Sequence, residues 1–199
     1  MPKFFVYKLI TDNGGAPCVT SDLLSLAICK PSIRSAAHTG DWIFGFGDND
    51  GLQNRLIYIA EVTGKLTNST YYLASVFRDR YDCIYAQDRH GFLQHRRGAR
   101  FHGGDRDKAR DVGDHPQYRK ANVVLSTNFR YYGRANSPAV DPVLQTFVRE
   151  RVIQGHRSRF DDDLGVLKAL KALRDDAWSV PTMKIGTPSH RDPTRKCNR

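Results

Sequence analysis

Apolar residues in this chain fall into short runs separated by glycine, asparagine and aspartate, not into one long periodic array. "KFFVYKLI", residues 3–10, is rich in aromatic and β-branched side chains and predicts a strand. "TDNGGAP" ends it in a loop, and "LLSLAICKP" is a short buried segment. "SIRSAAH" predicts one or two helical turns, with Ser32 as N-cap and Gly40 just beyond the end. Residues 42–47 and 55–63 then read as paired strands joined by "DNDGLQN". Alternation puts Trp42, Phe44 and Phe46 on one face, with Ile43, Gly45 and Gly47 on the other. In the partner strand it sets Leu56, Tyr58, Ala60 and Val62 against Ile57, Ile59 and Glu61. Glycines inside a strand mark places where a ring, a backbone or a ligand comes close. Tyr72, Leu73, Val76 and Phe77 predict a helix near 68–80, while "DCIYA" and "NVVLS" (122–126) predict strands. Leu144, Phe147, Val148 and Val152 predict a helix near 139–153, and "DDDLGVLKALKALRDDAW" another, its acidic end favoured by the helix dipole.

Between Arg89 and Lys120 the pattern dissolves into Arg, His, Gly and Asp, with nine Lys and Arg against four Asp, a net of +5. Such a segment predicts a long basic loop with little core of its own. The whole chain carries a formal net charge of +10, which points to a polyanionic partner, nucleic acid ahead of an anionic membrane surface. Its 199 residues suit one domain with a helical appendage. Cys18, Cys29, Cys83 and Cys197 are widely spaced, so neither a zinc framework nor a disulfide ladder is read, and no metal or cofactor is expected. The N-terminal "MPKFFVYKLI" is too short and too interrupted for a signal peptide or span, so a soluble cytoplasmic protein is expected. No glycine-rich phosphate loop follows a strand, which disfavours Rossmann and P-loop nucleotide binding. The element order fits an α+β fold, a small mixed β-barrel flanked by helices with a C-terminal helical extension.

Two constellations carry the candidate chemistry. Lys30 and Arg34 flank a short helix where they could hold a phosphate, and Trp42 offers a plane for a base; solvated cations and a core Trp are the equal alternative. In "STNFRYYGR", residues 126–134, Phe129, Tyr131 and Tyr132 alternate with Arg130 and Arg134, while Ser126 and Asn128 could read a base edge. Two of those three rings are expected to be core. Asp12 and Asn13 lie after the first strand, closing a pocket or forming an Asx-turn. Arg96, Arg97 and Arg100 in the basic loop are expected on phosphates. His90, His95, His102, Asp105 and Asp107 are read as part of that electrostatic arm, ahead of metal or nuclease chemistry. Cys29 sits in an apolar run and reads as inert core.

"GDWIFG" followed by "LIYIAEVT" resembles the strand pair of PUA-like domains. More of the chain, "CKPSIRSAAHTGDW", "YYLASVFRDRYDCIY" and "VLSTNFRYYG" in that order, resembles the nucleotide modification associated domain 2 family over roughly residues 3–150. Members occur largely in bacteria and phages, in settings linked to modified DNA bases. The expected organisation is a PUA-like domain over 1–155, with 88–120 as a basic excursion, and 156–199 as a C-terminal helix and basic tail. The resemblance implies a nucleic-acid or nucleotide role and supplies no catalytic residues. The leading expectation is recognition of a modified base or of nucleic acid containing one, DNA ahead of RNA. The alternatives are a base-modifying enzyme using Glu61, Asp12 or a histidine, and a structural subunit docking through its C-terminal helices.

Overall fold

The computed structural model describes residues 1–153, 155–179, 181 and 186–188. Strand β1 (Phe4–Leu9) alternates Phe4 and Val6 into one core and Phe5, Tyr7 and Leu9 into another. Both faces are covered, which is why every position but Lys8 carries an apolar or aromatic side chain. It pairs in parallel with β4 (Trp42–Gly47) and antiparallel with the two-residue β11 (His156–Arg157). Beyond β4 lie β5 (Leu56–Glu61) and β10 (Asn128–Tyr131), giving the order β10-β5-β4-β1-β11. A second sheet contains β2 (Cys18–Thr20), β3 (Leu23–Leu26), β9 (Val123–Ser126) and β6 (Gly64–Leu66), in the order β2-β3-β9-β6. A hairpin of β7 (Tyr85–Gln87) and β8 (Leu93–His95) is the third.

The two larger sheets face each other across a core that joins Phe5, Tyr7, Tyr58 and Phe129 to Leu24, Leu26 and Val124. The chain crosses between them at Val62–Thr63, after β5, and at Thr127, between β9 and β10. These crossings give barrel-like corners, yet no pairing among the described residues joins the sheets edge to edge. The barrel expected from the sequence is therefore three open sheets in an α+β fold. On the outer face of the first sheet pack α4 (Pro142–Arg151) and α5 (Leu164–Trp178), which bury Leu144, Phe147, Val148, Leu170 and Leu173 with Phe44 and Phe46. Asp141 caps α4, its carboxylate accepting from the Val143 amide at 2.8 Å.

Four local expectations change. Ser32 lies inside α1 (Pro31–Ala36); the cap position is Lys30, in the left-handed region at φ 40° with no side-chain cap bond. The helix near 68–80 shortens to α2 (Thr70–Leu73) and a 3-10 turn at Ser75–Phe77, separated by extended Ala74. The register between β4 and β5 shifts after Gly45, leaving Ile57 as an extra residue. Leu56 consequently joins the helix-side core and Ile57 the inter-sheet core, the reverse of simple alternation. The basic segment 88–120 is not a core-poor loop. It forms β8 and α3 (Asp105–Asp111) and buries Leu93, Phe101, Val112 and Tyr118 against Tyr72, Tyr85 and Val123. The basic tail expected at 189–199, including Cys197, lies outside the described residues.

Candidate functional site

The two glycines of β4 make room for neighbours. A Cβ on Gly45 would sit 2.9 Å from Leu9 Cδ1 and closer still to the Tyr58 ring, and one on Gly47 would overlap Leu52. Tyr58, so admitted, hydrogen-bonds the Tyr7 hydroxyl at 2.9 Å, and burial pushes its phenol well above the ordinary range.

Tyr7 is the floor of a cavity of about 250 Å³ between the end of β1 and the start of α1. Leu9, Ile10, Ala16, Pro31 and Ile33 give it apolar walls, and Lys30, Arg110 and His156 supply basic groups. Among the described residues no carboxylate lines it. Lys30 Nζ lies 4.8 Å from the Tyr7 ring centroid and donates to the Lys8 carbonyl at 2.9 Å. His156 packs on Phe5 with ring centroids 5.5 Å apart. Burial first, then the charges of Arg157 and Lys30, hold its imidazole below the usual histidine range. Two buried polar atoms of lining residues, Thr11 Oγ1 and Arg110 Nε, have no hydrogen-bond partner among the described residues.

Cys29 also lines this cavity. Its sulfur is 3.2 Å from His102 Nε2, and His102 Nδ1 contacts the Asp111 carboxylate. Asp111 Oδ2 further accepts from Tyr85 Oη at 3.1 Å. Arg34 locks the arrangement in place. It is fully buried, donating from Nε to the Cys29 carbonyl at 2.7 Å and from Nη1 to the carbonyls of Asp111, Lys120 and Asn122 at 3.1, 3.2 and 2.7 Å. Its Nη2 pairs with Asp111 Oδ1 at 3.4 Å. Cys29 and Lys30 are consecutive left-handed residues, φ 58° and 40°, a costly backbone that the Arg34 bond to the Cys29 carbonyl helps to hold.

The residues singled out in the sequence scatter over four places. Of the predicted base- and phosphate-binding residues, Lys30 alone reaches the cavity. Arg34 stands behind it, turned to carbonyls and Asp111 instead of outward to a phosphate. Asp12, buried, accepts a hydrogen bond from the Tyr131 hydroxyl, and Asn13 Oδ1 accepts from the Gly15 amide at 3.1 Å in an Asx-turn. Phe129 and Tyr131 are fully buried between the sheets, where no base can reach them. Ser126 bonds locally to Asn128, donating to its carbonyl at 2.9 Å. Asn128 donates to Glu61 at 2.7 Å and accepts from Trp178 Nε1 at 2.8 Å. Trp42 meets Trp178 edge-on, 4.9 Å between centroids. Arg130 donates to the Ala177 carbonyl at 3.0 Å and lies 4.5 Å from the Trp178 ring centroid. That constellation seats the end of α5 on the first sheet. Arg97 and Arg100 are exposed, Arg96 half-buried, and with Arg78 they line an open basin of about 380 Å³. The sequence groups His102 with Asp105 and Asp107, yet these two lie in the first turn of α3 while His102 turns to Cys29 and Asp111. Cys29 and His102 are 73 residues apart, so no local spacing could reveal their meeting.

A model of the nucleotide modification associated domain 2 family matches residues 1–190. The chain belongs to that family. The match spans every element described, including α5 and the basic excursion. Neither a curated protein nor a solved structure matches the chain. Membership of the family associates the chain with nucleotide modification systems. No helix among the described residues is long and apolar enough to cross a membrane.

Proposed function

We propose that the protein binds a modified nucleotide, or a DNA strand carrying one, in the cavity between β1 and α1. The observation that carries this reading is the cavity's chemistry: apolar walls, basic groups at Lys30, Arg110 and His156, and no lining carboxylate among the described residues. Such a site favours an anionic ligand with a flat apolar body. Arg110 Nε and Thr11 Oγ1, a donor and a donor-acceptor, are buried without a hydrogen-bond partner among the described residues and belong to residues of this lining. A volume of about 250 Å³ suits one nucleotide-sized group, being near the low end of ligand pockets at roughly 300 Å³. The basin of Arg78, Arg96, Arg97 and Arg100 supplies cations for the phosphates of a longer strand.

Calorimetric titration with nucleoside monophosphates tests the reading. Hydrogen bonds to charged groups are worth about 1.5–3 kcal/mol, so Lys30→Met and Arg110→Met should each weaken binding by roughly 10- to 150-fold. Folded variants that bind as tightly as the parent would place the ligand elsewhere.

A further inference from the structure

We propose that Cys29, His102 and Asp111 form a nucleophilic triad that hydrolyses an acyl group, amide or ester, borne by the nucleotide in this cavity. The inference rests on the cavity being the nucleotide site, and it adds a reaction to binding. His102 Nε2 stands 3.2 Å from the Cys29 sulfur, within reach of its proton. The contact of Nδ1 with the Asp111 carboxylate favours the tautomer in which Nε2 is the acceptor. Asp111 is itself held by Arg34 and Tyr85, so the third member is rigid. Cys29 is a lining residue of the cavity, and the proposal sets the acyl carbon of the substrate against its sulfur. The other described cysteines have no imidazole beside them: Cys18 bonds Thr20 at 3.8 Å and lies near Asp82, burial first and that carboxylate next raising its thiol to about 12, and Cys83 is buried with its carbonyl bonded by Arg96.

The proton inventory closes with water as the only co-reactant. His102 Nε2 takes the thiol proton while sulfur adds to the acyl carbon and the C=O electron pair moves onto oxygen. Collapse of that adduct breaks the bond to the amine or alkoxide, which leaves with the proton from His102, and a thioester remains on Cys29. Water then gives a proton to His102 and adds to the thioester carbon. The sulfur departs and regains that proton, releasing a carboxylic acid. A base that must later act as acid toward a leaving group is what the His102–Asp111 pair provides.

The test uses p-nitrophenyl acetate as acyl donor on the folded, full-length protein at about pH 7, where an ordinary thiol is only a few per cent thiolate. Acetylation at each cysteine is read by peptide mass spectrometry. Cys29 should acetylate at least about 10-fold faster than Cys18 and Cys83, with a burst of nitrophenolate. His102→Asn should reduce it to the level of those two; asparagine tolerates the left-handed backbone at this position (φ 49°). Asp111→Asn should move the pH profile of Cys29 acetylation to higher pH, which a merely structural Asp111 would not do. Cys29 reacting no faster than Cys18 in the native protein overturns the triad, whether or not either variant folds. So does an unaltered rate in folded His102→Asn. Adenosine and thymidine monophosphates, added in parallel, should slow the acetylation of Cys29. Fast acetylation with neither protection nor nucleotide binding would leave the thiol chemistry standing and refute nucleotide occupancy. Nucleotide binding beside an inert Cys29 would do the reverse.

Discussion

Arg34→Met removes a side chain that is fully buried and serves the carbonyls of Cys29, Asp111, Lys120 and Asn122 as well as the Asp111 carboxylate. Methionine fills much of the volume and supplies no donors. Asp111 would be left as a buried charge without its guanidinium, a situation that costs about 3–5 kcal/mol. The Cys29 carbonyl, released from its 2.7 Å bond, adds to the loss where water cannot reach it. Against a total stability of about 5–15 kcal/mol, this is a large fraction. With a urea m-value of about 2 kcal/mol/M, a loss near 4 kcal/mol lowers the unfolding midpoint by roughly 2 M. Urea denaturation followed by tryptophan fluorescence measures it, Trp42 and Trp178 both lying on the helix-side core. Asp111→Leu in the Arg34→Met background should recover part of the loss, since apolar replacement of a whole buried pair is tolerated. A single-variant loss below about 1 kcal/mol would refute the reasoning, because that is the range of an exposed ion pair.

Gly45→Ala should cost about 1–3 kcal/mol through overlap with Tyr58 and Leu9, a melting decrease of about 2–12 °C; a variant as stable as the parent would dismiss the close approach. The protein should lose stability as pH falls below about 6.5, because the unfolded chain then takes up a proton that folded His156, held low by burial and neighbouring charge, resists. Denaturation midpoints measured down the pH scale should fall less steeply in His156→Gln, and an identical slope would remove His156 as the cause. Exchanging Arg96, Arg97 and Arg100 for Gln should flatten the dependence of duplex affinity on salt by about 0.9 log units per lost phosphate contact. An unchanged slope would take the basin out of the strand path.

Much of the strand content was readable because β1, β4, β5 and β9 are dense in β-branched and aromatic residues, whereas β10 reads only as a row of binding side chains. Faces were harder. Leu56 and Ile57 exchanged cores through one extra residue, and a register shift carries no signature in apolar alternation. Phe129 and Tyr131 combine aromatic and cationic neighbours, a pattern that serves stacking on bases and packing between sheets equally well. Their burial could be decided only by tertiary structure. Arg34 misled for a related reason: an arginine on a short helix reads as solvated, yet a guanidinium that meets four carbonyls and a carboxylate can be buried outright. The basic excursion hid Leu93, Phe101, Val112 and Tyr118 among charges at irregular intervals, and with them the placement of His102 and Asp111. Nothing in their spacing from Cys29 announces a meeting that the fold alone creates.

The cavity as nucleotide site is tested most directly by a crystal structure of the protein soaked with a panel of modified nucleoside monophosphates. The account predicts density between β1 and α1, with the phosphate within hydrogen-bond reach of Lys30 Nζ or Arg110 Nε and the base against the wall of Ile10 and Ile33. Density confined to the arginine basin, or a cavity that stays closed to every nucleotide while binding is measured in solution, would contradict it.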